Sequence, residues 1–277
     1  KSTASAWWSV FFIYFGGSLG WVLDKGESAF WAQQSISTLL NPPFALSLVI
    51  LLLGLICIQS RRVLPAILLF ILLPQIKIYG GLLALGGLLL ASFRFRSIFK
   101  VFFPAALVSG LLFFLTNKET AGLLVFQPGW FLENLFSVDH LAWPRFFSAL
   151  NTYRVGGIWP KALPAYTAAF GVFWIGNMGT RLIKEVLLFK WLRNRFSLTW
   201  QEYFTASVIM AGGLIPMFTI QSGTSWNTIQ FFYYSLFFSS ILAGIAMGDI
   251  LAKIKSRNIA AVFALGVIFF TLPTTLE

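Results

Sequence analysis

Apolar residues in this chain come in long unbroken runs rather than in stripes or alternations. The stretch RRVLPAILLFILLPQIKIYGGLLALGGLLLASFRFR, residues 61–96, is basic at both ends and almost wholly apolar between. A helix carries such a run through hydrocarbon because it satisfies its own backbone N–H and C=O groups. The chain is 58% hydrophobic and 10% charged, whereas a soluble domain has roughly 25% charged residues. The expected fold class is therefore all-α, a polytopic helical membrane protein with about nine hydrophobic segments and with interfacial helices in its outer loops.

The segments fall at roughly 6–22, 43–59, 63–74, 78–93, 99–116, 163–180, 200–220, 228–248 and 259–276. Most can cross ~30 Å of hydrocarbon at about 1.5 Å per residue. The third spans only about 18 Å as a helix. It could pair with the fourth as a short hairpin, or the two could form one bent span. With a hairpin, fourteen Lys and Arg residues lie on the cytoplasmic side and five outside, Lys77 apart; one span gives twelve and seven. The positive-inside rule favours the hairpin, with its tip at 74–78 facing outward. The whole of 1–277 reads as one transmembrane domain, and 117–161 as its extracytoplasmic interfacial loop, with short helices beginning near Pro128 and Pro144. The basic run 181–196 reads as an interfacial helix at cytoplasmic lipid heads. The net charge of +11 then follows from membrane topology, and no nucleic-acid partner is needed to explain it. Cys57 is the one cysteine, so no intrachain disulfide can form. The chain opens on Lys1 and reads as a piece of a longer protein.

Lys77 is the most conspicuous side chain. A lysine at membrane depth costs roughly 2.5–3.5 kcal/mol by insertion scales. It either snorkels or supplies a cation to a lipid phosphate, with the Tyr79 hydroxyl beside it. Gly80 with Ala84, and Gly87 with Ala91, suit close helix packing behind it. In the outer loops, Asp139 and His140 have general acid/base chemistry available, although an Asp before a short helix also serves as a cap. Arg145 and Arg154 can hold a pyrophosphate bidentately or contact headgroups. Asp24, Glu27, Glu119 and Glu133 are further polar groups there. Asn227, Gln230 and Tyr234 recur at i, i+3, i+7, a polar stripe descending from an outer turn, or a set of helix–helix hydrogen bonds. Thr199 and Glu202 have capping-box spacing, and Asn41-Pro42-Pro43 reads as a helix start. Gly212, Gly213 and Pro216 predict a kink. No nucleotide-binding glycine loop and no zinc-type ligand cluster is present in the sequence.

The stretches NPPFALSLVILLLGL, LLPQIKIYGGLLALGGLLLAS, FQPGWFLENLFSVDHLAWPRFFSALNTY, FGVFWIGNMGTRLI and SGTSWNTIQFFYYSLFFSSILAGI, spread over roughly 30–250, carry a resemblance. The chain resembles multispanning membrane proteins of candidate-phylum bacteria that are similar to the GT-C class of glycosyltransferases. That resemblance implies a bacterial inner-membrane protein whose partners are membrane lipid and a polyprenyl-phosphate-linked sugar. It implies transfer of the sugar to an acceptor outside the cytoplasm, with an acidic general base in a loop upstream of Lys1. Asp24 and Glu27 do not form the family's adjacent acidic pair. Lys77, Arg145 and Arg154 become expected contacts to the lipid phosphate. A divalent metal is compatible with such chemistry, but the residues show no site for one. Two rivals stand beside this reading. One is an O-antigen polymerase-like or ligase-like enzyme. The other is a lipid-glycan transporter, which predicts inverted repeats and broken helices.

Overall fold

The computed structural model describes residues 2–30, 38–116, 124–194 and 197–273; Lys118, Glu119 and Arg195 lie outside them. Among the described residues the chain forms twelve α-helices and one two-stranded ribbon. In chain order they are α1 (Thr3–Phe15), α2 (Pro42–Gln59), α3 (Val63–Ile76), α4 (Ile78–Arg94), α5 (Arg96–Thr116), β1 (Leu124–Phe126), α6 (Trp130–Leu135), α7 (Pro144–Val155), α8 (Trp159–Met178), α9 (Glu185–Arg193), α10 (Trp200–Phe218), β2 (Thr219–Gln221), α11 (Ile229–Lys253) and α12 (Arg257–Thr271). The helical class read from the apolar runs is present. Three helical stretches, Pro42–Gln59, Arg96–Thr116 and Ser225–Lys253, are long and apolar enough to cross a membrane.

Several helix starts are set by local chemistry. Asn41 Oδ1 accepts from Phe44 N–H at 3.2 Å, with proline at the first helical positions of α2. Thr199 and Glu202 close a reciprocal capping box on α10, satisfying two N–H groups that the helix itself cannot. Lys77 is extended, at φ −149° and ψ 103°, and separates α3 from α4. Gly81 lies so close to Pro74 that an added Cβ would sit 2.5 Å from the Pro74 Cα. The far ends of this pair return to one place. Gln59, just before α3, bonds Gln201 at the start of α10, and Phe95, just after α4, packs on Tyr203 at 5.9 Å. Residues 63–94 therefore form a hairpin. Pro74 has no N–H for the Phe70 carbonyl, and Ser109 Oγ of α5 reaches that oxygen at 3.4 Å.

The molecule has two ends. β1 and β2 pair antiparallel, with Leu124 opposite Gln221 and Phe126 opposite Thr219. Lys77 lies at this ribbon end, since the neighbouring Tyr79 hydroxyl donates to Gln221 Oε1. Arg61, Arg62, Arg94, Arg96, Lys253 and Arg257 flank the opposite ends of their helices.

α11 is the central post. α1 runs antiparallel along it, and small residues permit the approach: Gly244 faces the Ser9 backbone and Gly248 faces Ser5. Ser9 Oγ donates to Ile241 O at 3.1 Å, and Ser240 Oγ donates to Phe12 O at 3.1 Å. The Gly244-xxx-Gly248 pair is the small-residue device of membrane helices. The predicted pairs on α4 do the same, Gly80 facing Tyr234 and Gly87 lying 2.9 Å from Phe204 when a Cβ is added.

Two expectations change. The segment 6–22 is not one helix: α1 stops at Phe15, and a short 3-10 helix, Gly20–Leu23, follows Gly16 and Gly17. The basic run from Arg181 is not one interfacial helix: a 3-10 segment, Gly179–Lys184, joins α8 to α9. Arg181 and Lys184 are fully buried there. Arg181 donates to Gly16 O at the end of α1 and to Asn177 O at the end of α8, the latter at 3.2 Å. Gly212 and Gly213 lie against neighbours, Phe231 O and the Trp174 ring, and Pro216 lies inside the same helix.

Gly244→Leu should force α1 off α11, since backbone and not a flexible side chain blocks the space. Overpacking of this kind costs about 1–3 kcal/mol. Thermal unfolding in detergent should show a clear fall in midpoint, whereas Gly266→Ala, which meets nothing within 4 Å, should unfold like the wild type.

Candidate functional site

Two polar clusters flank the β1–β2 ribbon. The first centres on the hairpin tip. Lys77 is half-buried, with its Nζ 5.6 Å from the centroid of the Tyr79 ring. Tyr79 is buried against Phe231 at 5.1 Å, and its hydroxyl is committed to Gln221. The tip is thereby tied to the turn that leads into α11. In that turn Ser225–Thr228 is 3-10 and the α-helix begins only at Ile229. Asn227 and Gln230 bond each other at 3.3 Å, and Gln230 Oε1 is enclosed without a hydrogen-bond partner among the described residues. Tyr234 is structural: its hydroxyl shares a 2.6 Å hydrogen bond with Ser47 of α2. The stripe thus divides into an outer polar pair and an inner packing residue.

The second cluster was only partly anticipated. Glu133, on α6, is a buried carboxylate. Arg154, on α7, clamps it with Nε on Oε1 at 2.6 Å and Nη2 on Oε2 at 3.1 Å. The Tyr166 hydroxyl of α8 donates to the same Oε1. Hydrogen bonding to Glu133 raises the Arg154 pKa above the usual guanidinium value. Asn151 Oδ1 accepts a further bond from Nη2 at 3.2 Å. Glu133 stood in the sequence as a lone carboxylate among apolar residues, WFLENLF. That signal marks a buried acid, but it names no partner twenty-one residues on.

Trp130, Phe131, Leu132 and Leu135 of α6 are all buried in a core with α8 and α11. Trp130 Nε1 donates to Thr219 O at 2.8 Å, which fastens α6 to the ribbon. α7 does begin at Pro144. His140 lies with its ring 6.0 Å from Trp226, near the turn. Asp139 is exposed and caps no helix, since α7 has Trp143 at its N-cap. Arg145 is exposed in the first turn of α7. The structure therefore brings Lys77 and Tyr79 to the turn holding Asn227 and Gln230 and pairs Arg154 with Glu133, while no hydrogen bond or ion pair among the described residues joins Asp139 or Arg145 to either cluster.

An apolar cleft of about 610 Å³ opens beside the second cluster. Phe126, Gly129, Arg154, Tyr166, Phe170 and Met217 are among its walls. Such a volume lies within the roughly 300–1,000 Å³ of small-molecule sites. A second cleft of about 460 Å³ lies between α3, α4 and α5, with Pro74, Ile78, Phe113 and Leu124 in its wall. Leu124 at the start of β1 lines the smaller cleft and Phe126 at its end lines the larger. Gln127 N–H and Gly129 N–H donate to Phe218 O and Met217 O at 2.8 and 2.9 Å, which fixes the floor of the larger cleft. Among the described residues no group of three or more His, Cys, Asp or Glu side chains is placed to hold a metal ion.

In this arrangement both oxygens of Glu133 are engaged by donors. Arg154 is the reachable cation: its side chain is 39% exposed, that of Glu133 10%. No protein-family model, curated protein or solved structure matches the chain.

The asymmetry in burial predicts unequal costs. Arg154→Gln strips a buried carboxylate of its main partner, and charge-assisted hydrogen bonds contribute roughly 1.5–3 kcal/mol each. Glu133→Gln leaves a guanidinium that water can reach. Thermal unfolding should therefore fall further for Arg154→Gln than for Glu133→Gln; the reverse order would contradict the geometry.

Proposed function

We propose that this protein is a GT-C-like membrane glycosyltransferase that moves a sugar from a polyprenyl-phosphate donor to an acceptor outside the cytoplasm. The observation that carries this reading is the apolar cleft with a guanidinium at its mouth. Phe170 and Met217 supply a bed for a hydrocarbon chain, and Arg154 supplies a cation for its phosphate. From Trp174, at the level of Gly213 on α10, to Tyr166 is about 12 Å along α8. An anionic lipid with its head at Arg154 would thus lay its chain against the lower wall.

The ribbon end faces outward in this reading, because Arg61, Arg62, Arg94, Arg96, Lys253 and Arg257 collect at the other end. Lys77 stands on the same face, across the ribbon, as a second cation for a donor or product phosphate. Basic residues there would stabilise the leaving phosphate as the acceptor hydroxyl attacks.

One observation favours the transporter reading instead. α1 and α8 both break part-way along α11, at glycines, and paired breaks are a transporter habit. The two readings separate in vesicles.

Membranes holding the protein, supplied with a labelled polyprenyl-phosphate sugar, should form labelled product. Arg154→Ala should lower transfer at least tenfold, the loss of one charge-assisted contact, and Lys77→Ala should lower it less. Absence of transfer with every lipid-linked donor, together with movement of glycolipid across the bilayer, would replace the transferase reading with the transporter. Sidedness is tested separately. In a Cys57→Ser background, Lys77→Cys should react with an impermeant maleimide from outside, and Arg61→Cys only after permeabilisation.

A further inference from the structure

Behind the wall of the larger cleft lies an anion, and that anion belongs to the protein. We propose that Glu133 is a built-in competitor for Arg154, displaced from the guanidinium when the phosphate of an isoprenyl-phosphate lipid enters the cleft. The inference rests on the lipid-phosphate reading given above, and it adds how the empty site keeps its cation and what an entering ligand must do.

The geometry is asymmetric in the way an exchange requires. Arg154 and Tyr166 line the cleft, and Glu133 does not; it sits behind them. Arg154 gives Nε and Nη2 to the protein, and Nη1 makes no hydrogen bond among the described residues. A guanidinium presents its five N–H donors in a planar fork suited to a phosphate. For a phosphate to be held by Nη1 and Nη2 together, Nη2 must leave Glu133 Oε2. That contact, at 3.1 Å, is the longer of the two. The Tyr166 hydroxyl remains on Oε1, so the released carboxylate keeps a donor. With no ligand in the cleft, Glu133 holds the partly exposed guanidinium in one geometry.

The exchange also selects. A neutral isoprenol can bury its chain but cannot take Arg154 from a carboxylate. Inorganic phosphate can bind the guanidinium but gains nothing from the apolar bed. Only a ligand with both parts offsets the loss of the Glu133 bond.

Binding of a fifteen-carbon isoprenyl phosphate to the detergent-solubilised protein tests this without any transfer assay. Glu133→Gln, similar in shape and uncharged, should bind it at least fivefold tighter than wild type, because the competitor is gone. Arg154→Gln should bind it at least tenfold more weakly. In the Arg154→Gln background, adding Glu133→Gln should change affinity less than twofold, because there is no longer a guanidinium to compete for. Isoprenol and millimolar inorganic phosphate should not displace the probe from wild type. If Glu133→Gln does not elute as a folded protein, Glu133→Asp, whose shorter arm reaches Arg154 less well, should show a smaller gain in the same direction.

Unchanged or weaker binding by both Glu133 variants overturns the exchange. So does an equal gain with and without Arg154, which would mean simple removal of a repelling charge. Displacement of the probe by inorganic phosphate alone would overturn the lipid as its source. If no form binds the probe, the lipid-phosphate reading of the cleft falls as well. If the probe binds with the expected order but no sugar is transferred, the exchange stands and the transferase reading does not.

Discussion

Arg181 joins two broken helices. Its guanidinium, fully buried, donates to Gly16 O at the end of α1 and to Asn177 O at the end of α8. A buried charge is tolerated only where it is paired, and here the partners are the ends of two helices. Each C-terminus carries unsatisfied carbonyls and about half a negative charge, so one cation serves both. The breaks are held by backbone as well: Leu19 N–H donates to Gly176 O at 2.7 Å. Gly179, at φ +53°, allows the turn, and an added Cβ there would meet Gly17 O. The site depends on this joint, because it sets where α8 ends and hence how α8 lies against α11.

Above the joint, Phe173 packs on Phe232 at 4.8 Å and on Phe131 at 5.4 Å. Those contacts bring α8 up beside α6, and Tyr166 reaches Glu133 as a result. Below it, the chain turns through Lys184 into α9. Lys184 is fully buried, paired with Glu185, and lies 4.8 Å over the Trp174 ring. Three cations that resemble one another in sequence are thus handled differently. Arg181 is held by helix ends, Lys184 by a carboxylate and an aromatic face, and Arg154 by a carboxylate at the edge of a cleft.

The contrast bears on charge counting. Arg181 and Lys184 lie in a basic run, and a count that treats them as headgroup contacts assigns them to a surface they do not occupy. Contacts fix the hairpin at Lys77: Gln59 with Gln201 and Phe95 with Tyr203 bring both its legs back to one end. The ribbon then gives the hairpin tip its address, because Tyr79 reaches Gln221 and no pattern within 74–79 names that partner.

The sequence by itself determined the helical class and several helix starts, and its charge pattern favoured a hairpin with its tip at 74–78. These depend on local physics: apolar run length, the missing N–H of proline, and caps that act over three residues, as at Asn41 and Thr199. It also singled out Lys77, Tyr79, Arg154, Asn227 and Gln230 as polar groups in apolar surroundings. Only the tertiary structure decided which of them meet. The Glu133–Arg154–Tyr166 cluster draws on α6, α7 and α8, and the Arg181 joint on α1 and α8, so each needs contacts between residues far apart in the chain. Hydropathy reads Arg181 as surface because it sees a charge but not the two helix ends that satisfy it. It reads 6–22 as one span because the Gly16-Gly17 break costs a helix backbone its regularity without making the run less apolar.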